Sequence, residues 1–287
     1  MRVLVTGGGG FVGRHVIARL RGSGHEPIVF DRHGLAGEEM CLGDVRDAVA
    51  VDAAVADCEG VIHLAALLGT QETMVGPEIC VAVNIQGSIN VFKAVRRYGV
   101  PAVYIAVGNH WMNNPYSITK TTAERFALMF RTELGAKIAV VRGFNAYGPG
   151  QKAQPIRKMI PNFILPALRD EELIVYGDGS QIMDMIWVED VADILVRALE
   201  YRGDAILEAG TGRQTTVQEI AELVVRVVGG GTIRHAEMRP GEPENSVVLA
   251  DPSTLAPLGT FDFLPLEEGL RRTIPYYARQ VKVGHLV

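Results

Sequence analysis

Residues 2–13 read Arg2-Val3-Leu4-Val5-Thr6-Gly7-Gly8-Gly9-Gly10-Phe11-Val12-Gly13. A short aliphatic run enters a set of glycines, and an amphipathic stretch, Gly13–Arg21, follows, which is the order strand, tight turn, helix. The glycines can be read as G-x-G-x-x-G, using Gly8, Gly10 and Gly13, or as G-x-x-G-x-x-G, using Gly7, Gly10 and Gly13. Both let the backbone turn sharply and approach a pyrophosphate, whose charge then lies on the helix N-terminus. Alone, such a run is also what a flexible turn looks like. The second apolar run, Pro27–Asp31, adds context by ending in an acid. A carboxylate there accepts hydrogen bonds from adenosine ribose hydroxyls and repels a 2′-phosphate, so Asp31 favours NAD over NADP. Arg32 beside it weakens that preference, since a guanidinium accommodates the extra phosphate; the plain alternative is an Asp31 that only caps a turn.

Further short apolar runs occur at Gly60–Ala65, Pro101–Val107 and Lys137–Phe144, none with clean polar alternation, as strands covered on both faces require. Helical patterns at Val49–Ala56, Glu78–Tyr98 and Tyr116–Leu134 lie between them. The alternation predicts an α/β fold, a Rossmann-like doubly wound parallel sheet with ligands at the strands' C-terminal ends. After Gly148-Pro149-Gly150 the texture becomes proline-interrupted, with a turn at Gly177-Asp178-Gly179 and a capping-box pattern from Thr216 to Glu219 that opens a helix to about Val228. A last helix is expected near Leu266–Arg279. The organisation expected is an NAD-binding domain over 1–147 plus about 184–208, interleaved with a smaller C-terminal substrate-binding lobe over about 148–183 and 209–287.

A net charge of −5 and the lack of a Lys/Arg stripe argue against a nucleic-acid partner. No apolar stretch reaches the ~18 residues of a membrane span, and the N-terminal run meets glycines too soon for a signal peptide. Three cysteines, Cys41, Cys58 and Cys80, without a C-x-x-C pair, fit a reducing cytoplasmic setting. The histidines are scattered without metal-ligand spacing, so no metal is expected.

Tyr116-Ser117-Ile118-Thr119-Lys120 sets a phenol and an ammonium on one helix face, at the start of the helix that follows the Pro101–Val107 strand. A phenol with a pKa of ~10 is a poor base at neutral pH, and making it one takes roughly 4 kcal/mol of differential stabilisation. A nearby cation and a cationic cofactor ring in a desolvated site can supply that. The plain alternative is a surface lysine and a core-edge tyrosine.

With these residues in view, the chain resembles the extended short-chain dehydrogenase/reductases, in the NAD-dependent epimerase/dehydratase group that acts on nucleotide sugars. The resemblance runs through the glycine segment, Gly43-Asp44-Val45-Arg46-Asp47, His63-Leu64-Ala65-Ala66, Asn84 with Gly87 and Asn90, and Pro115–Lys120. It continues through Arg142–Gly150, Gly177–Gln181 and Arg239-Pro240-Gly241-Glu242. It implies Tyr116 as acid/base and Lys120 as its tuning partner and ribose ligand. Gly7, Gly10, Phe11, Val12, Gly13, Asp31, Arg32, Asp44, Val45, Leu64, Ala65, Ala66, Asn84 and Phe144 would surround NAD. Asn145 and Arg239 would hold the diphosphate of a nucleotide-diphosphate sugar, Arg239 through its forked donors; a solvated loop arginine is the alternative. In relatives the Glu78–Tyr98 and Tyr116–Leu134 helices form a two-fold interface, so a homodimer is expected, with Phe126, Met129 and Phe130 facing either the partner or the core.

The chain also departs from the family. Relatives place Ser or Thr after the strand that ends near Val107; here Ala106-Val107-Gly108-Asn109-His110-Trp111 has no hydroxyl, and the segment to Tyr116 is short. Asn109 as a substitute donor, His110 as a proton relay and Trp111 as a packing surface for sugar or base are the candidates, against turn or core roles for each. The carboxylates of dehydratases and decarboxylases are absent beside this position, and Met183 stands where many relatives carry a phosphate-binding Arg. The expected reaction is NAD-dependent 4-epimerisation of a nucleotide-diphosphate sugar. The alternatives are a dehydratase, decarboxylase or keto-sugar reductase of the same family, or a catalytically weak NAD-binding sensor.

Overall fold

A computed structural model describes residues 1–282. In chain order the elements are β1 (Arg2–Thr6), α1 (Phe11–Gly22), β2 (Glu26–Asp31), β3 (Met40–Leu42), α2 (Ala48–Ala56), β4 (Gly60–His63), α3 (Pro77–Cys80), α4 (Gly87–Tyr98), β5 (Ala102–Val107), α5 (Pro115–Thr132), β6 (Ile138–Gly143) and β7 (Asn145–Tyr147). There follow α6 (Met159–Ala167), β8 (Glu172–Tyr176), β9 (Ile182–Met183), β10 (Met185–Trp187), α7 (Val188–Ala198), β11 (Leu207–Ala209), β12 (Thr215–Thr216), α8 (Val217–Val228), β13 (Thr232–Ala236), β14 (Val247–Val248) and α9 (Leu266–Lys282). A π-helical turn, Val81–Gln86, joins α3 to α4, so the single helix expected over Glu78–Tyr98 is one rod with a widened turn.

Seven strands form one sheet in the order β11-β6-β5-β4-β1-β2-β3, and every pairing in it is parallel. Side chains along each strand point alternately into two cores. Leu4, Tyr104 and Val140 join α2, α4 and α5 on one face. Val3, Val5, Val103 and Val141 join α1 and α7 on the other. Both faces are dry, which is why the strands lack polar alternation. The edge strands β3 and β11, three residues each, went unseen in the sequence because so short a run shows no period.

Chain order reverses between β1 and β4, which opens a crevice at their C-terminal ends. A third core, built from α6, β8, α8 and α9, stands beyond that crevice. The chain returns from it through α7, which packs on α1, and β11, which pairs with β6. Residues 283–287 of the expected C-terminal lobe lie outside the described residues. A buried carboxylate joins the returning segments: Asp184 accepts from Thr211 N–H (2.9 Å) and Oγ1 (2.7 Å), Gly212 N–H (2.8 Å) and Ala250 N–H (3.1 Å).

The capping box read from sequence is formed at α8. Thr216 Oγ1 accepts from Glu219 N–H (3.1 Å), and Glu219 Oε2 accepts from Thr216 N–H (2.7 Å). Thr216→Ala is expected to lower the unfolding free energy by about 1 kcal/mol, read as a shifted urea midpoint at unchanged slope.

Candidate active site

A cavity of about 830 Å³ follows the C-terminal ends of the strands, from Asp31 and Asp44 past Tyr116 to α6 and β8. Its glycine wall resolves the two sequence readings. Gly7 has φ of 71° and donates its N–H to the Phe30 carbonyl (2.8 Å). A Cβ on Gly7 would lie 2.8 Å from Ala65 N, and one on Gly13 would lie 2.5 Å from Gly7 O. A Cβ on Gly8 would instead meet Val29 Cγ1 at 2.9 Å. Gly7, Gly10 and Gly13 line the cavity with Phe11 and Val12, so the turn is G-x-x-G-x-x-G. Gly10 caps α1 without a side chain, which leaves the first N–H groups of the helix for an anion. The cradle fits a dinucleotide pyrophosphate.

At the adenosine end, Asp31 Oδ2 accepts from Gly9 N–H (3.1 Å), with Arg32 exposed beside it. Asp44 takes the Arg46 fork at 3.0 and 2.7 Å, and that hydrogen-bonded cation holds its carboxyl below the ordinary range. Val45, Leu64, Ala65, Ala66 and Phe144 complete this part of the wall. Asn84 stands behind it. Its buried amide accepts from Leu67 N–H (2.7 Å) and donates to Leu67 O (3.1 Å) and Thr119 Oγ1 (3.0 Å), so it ties wall to α5 rather than facing the cavity. His63 is also structural. Its ring bridges Thr6 Oγ1 (2.6 Å) and Ser88 Oγ (3.0 Å), and burial, aided by Lys120, pushes its pKa down to about 3.

Asn114 and Pro115 start α5: the Asn114 side chain accepts from Ser117 N–H (2.9 Å), and proline occupies the first turn, where its missing N–H costs nothing. The helix then carries Tyr116 and Lys120 into the cavity together. Lys120 is buried with its Nζ 4.2 Å from the centre of the Tyr104 ring. Burial pulls its pKa down to about 7, against the opposing pull of Glu124 and Cys80. Burial also pushes the Tyr116 phenol up, Cys80 adding to the effect. In the cofactor-free protein burial thus acts against the phenolate form of Tyr116.

Asn109 lines the same cavity as Tyr116, and its Nδ2 donates to a weak acceptor, Met112 Sδ (3.3 Å). His110 and Trp111 are absent from the cavity wall. The His110 ring turns back to Gly108 O (3.2 Å), because the short segment coils into a turn before α5. Trp111 is 44% exposed in a small outer groove with Asn113 and Pro243, neither buried nor in the main cavity. Asn145 lines the cavity and donates Nδ2 to Asp184 O (3.1 Å). Arg239 lines it too, its fork on Glu242 (2.7 and 3.1 Å) and its guanidinium 4.6 Å from the Tyr176 ring centre. Sequence reading missed Lys158 and Glu72, and gave no site role to Glu242 and Gln181 although both lie in motifs that carry the resemblance; all four line the cavity. The adjacent Arg157-Lys158 pair before a helix was the available signal for the first of these.

A nucleotide-sized cleft at a sheet's switch point, with a tyrosine–lysine pair in its wall, defines the dinucleotide-dependent short-chain oxidoreductase class. The model of the NAD dependent epimerase/dehydratase family matches residues 3–210, and the chain belongs to that family. NAD is its cofactor. A putative UDP-glucose 4-epimerase of Methanocaldococcus jannaschii is 27% identical, across 95% of this chain and 97% of that protein. UDP-glucuronic acid decarboxylase 1 of Xenopus tropicalis is 28% identical across 98% of this chain and 73% of that protein. The UDP-glucose 4-epimerase of Thermus thermophilus, solved with NAD, superposes with a TM-score of 0.87 at 27% identity, covering 96% and 99% of the two chains. The relatives thus include both epimerases and decarboxylases of UDP-sugars.

The buried Lys120 fixes a pH dependence. Its folded pKa of about 7 lies below the ordinary 10.5, so between these values the unfolded chain binds more protons and stability rises with pH. Lys120→Met removes this cost. In cofactor-free protein the variant's gain in Tm over wild type is expected to be largest below pH 7 and to shrink as pH approaches 10.5.

Proposed function

We propose that the chain is an NAD-dependent nucleotide-diphosphate-sugar 4-epimerase. The observation that carries this reading is the convergence of Tyr116, Lys120 and Asn109 on one cavity, without a carboxylate on the wall segment that follows β5. The end of β5 contributes Ala106 and Val107 to the wall, and the segment after it Asn109 and Met112. Dehydration needs a further acid/base to eliminate water, whereas 4-epimerisation needs a proton acceptor at the C4 hydroxyl and freedom for the keto intermediate to turn.

In this reading Tyr116 Oη accepts the C4 hydroxyl proton and later returns it. Lys120 holds positive charge near the phenolate. The Asn109 amide donates to the reacting sugar oxygen, the role a hydroxyl fills in relatives; its present acceptor is a thioether that a sugar oxygen outcompetes. Asn145 and Arg239 hold the diphosphate, with Asn145 fixed from behind by the Asp184 carbonyl. When bound, NAD would supply a cationic ring that favours the phenolate, and a hydride site that takes hydride from C4 and gives it back to the opposite face of the turned keto intermediate, leaving no net redox change.

Two further expectations belong to this proposal. A homodimer through the α3–α4 rod and α5 is favoured by half-exposed Val81, in the π-helical turn of that rod, and Ile118 of α5, which packs beside it; Phe130 takes no part, since it is buried against Phe92. A cytoplasmic setting accords with three free cysteines. No helix of the described residues is long and apolar enough to cross a membrane.

Incubation with UDP-glucose, UDP-galactose and their N-acetyl and uronic acid counterparts, followed by NMR, tests the reaction. The expected product is the C4 epimer at unchanged mass. Tyr116→Phe is expected to lower kcat by about 10²–10⁴-fold while NAD binding is retained. Loss of CO₂ or water would reassign the reaction to a decarboxylase or dehydratase. NAD binding without turnover across the panel would favour the sensor, a reading motivated by the missing hydroxyl.

A further inference from the structure

Glu124 lies one turn beyond Lys120 on the same face of α5, and both side chains are buried. Arg142 of β6 holds the carboxylate in a two-bond fork, Nε to Oε2 (3.0 Å) and Nη2 to Oε1 (2.7 Å). The other edge of the guanidinium faces β11, where Glu208 Oε1 lies 3.5 Å from Nη1. Glu208 is itself fixed: its Oε2 accepts from Asp251 N–H (2.8 Å), and its N–H donates to Thr254 Oγ1 (2.9 Å). A row of alternating charge thus runs from Lys120 through Glu124 and Arg142 to Glu208, across α5, β6 and β11. The other groups around the Lys120 ammonium bring no such charge. The Tyr104 ring of β5 lies 4.2 Å away, its phenol kept neutral by burial. Burial likewise favours neutral forms of His63 from β4, the Cys80 thiol from α3 and Tyr116 from α5. Glu124 is first among the groups that resist the pull of burial on Lys120.

We propose that Glu124, clamped by Arg142, is a positioning residue that keeps the Lys120 side chain an ammonium in the dry cleft. The proposal rests on the reading of Lys120 as the cation beside a Tyr116 phenolate and deepens it. A lysine stripped of water favours the neutral amine, and a neutral amine cannot stabilise a phenolate. A carboxylate bonded directly to the ammonium would supply charge but would also take up its donors. From one turn away, Glu124 acts through the low-dielectric interior and leaves those donors for the cleft. An isolated buried carboxylate would itself be driven neutral, and the charge-assisted Arg142 fork prevents that. Because Arg142 shares its charge with Glu208, the guanidinium does not cancel the carboxylate's field at Lys120.

NMR titration of full-length protein labelled with carbon-13 at lysine Cε, first without NAD and then with it, tests this. The Lys120→Met spectrum assigns the resonance. Without NAD, wild-type Lys120 is expected to titrate at about pH 7. Glu124→Gln is expected to lower that midpoint by about one unit. Glu124→Gln combined with Arg142→Met, which replaces the ion pair by neutral side chains, should lower it as much. Arg142→Lys keeps a cation on the carboxylate and should leave the midpoint within about 0.3 unit. In turnover, the alkaline limb of the kcat profile should move to lower pH in both carboxylate-free variants, with KM within about twofold. An unmoved midpoint in either carboxylate-free variant that folds overturns the proposal. Loss of the fold in both also overturns it, because it marks the pair as purely structural. A wild type without turnover on any nucleotide sugar overturns the epimerase reading instead, and the NAD-free titration still decides the role of Glu124.

Discussion

The contact between Gly13 and the Gly7–Gly8 backbone is the constraint on which the rest of the site depends. With 2.5 Å between the Gly7 carbonyl and the place a Gly13 Cβ would take, α1 can approach β1 only without a side chain there. That approach aims the uncapped end of α1 into the crevice between β1 and β4, where a pyrophosphate is stabilised by free N–H groups and the helix dipole. The same turn lets Gly7 reach Phe30 O, which fixes the end of β2 and so places Asp31. One steric fact therefore positions both the uncapped helix end and the carboxylate at the end of β2.

From that cradle the reacting groups are set by the spacing of the parallel strands. α5 enters after β5 because Asn114 and Pro115 start it there, and its first turn delivers Tyr116 with Lys120 directly beneath on the same face. Burial pushes the phenol up and the ammonium down, each toward its neutral form. A cationic cofactor ring in the same cleft acts on the phenol in the opposite sense.

How far this was legible in the sequence depends on whether the signal was local. The glycine turn, Asp31, the capping box at Thr216 and the Tyr116–Lys120 pair follow from spacing within a few residues, and each element carrying them formed. The choice between Gly8 and Gly7 was not local. It turns on Val29 from β2 and Ala65 after β4, which meet the turn only when the sheet is built. Asn84 was placed in the cavity by motif, yet its side chain is drawn backwards into a π-helical turn and a hydrogen-bond triangle with Leu67 and Thr119. His110 and Trp111 failed to reach the cavity because the short segment before α5 spends its length turning. The strands β3 and β11 were invisible because three residues carry no period, and their places are fixed by neighbours β2 and β6.

The far end of the cavity shows how a motif can keep its geometry while its charges move. Arg239 retains the fork and the aromatic seat on Tyr176 that suit a phosphate. Its carboxylate partner, Glu242, occupies that fork from within the same loop. Because Thr70 also holds Glu242, the loop after β4 is tied to the loop after β13 through the carboxylate that fills this fork. In the nucleotide-sugar reading proposed above, a diphosphate that enters the fork displaces Glu242 and releases the tie in the same event.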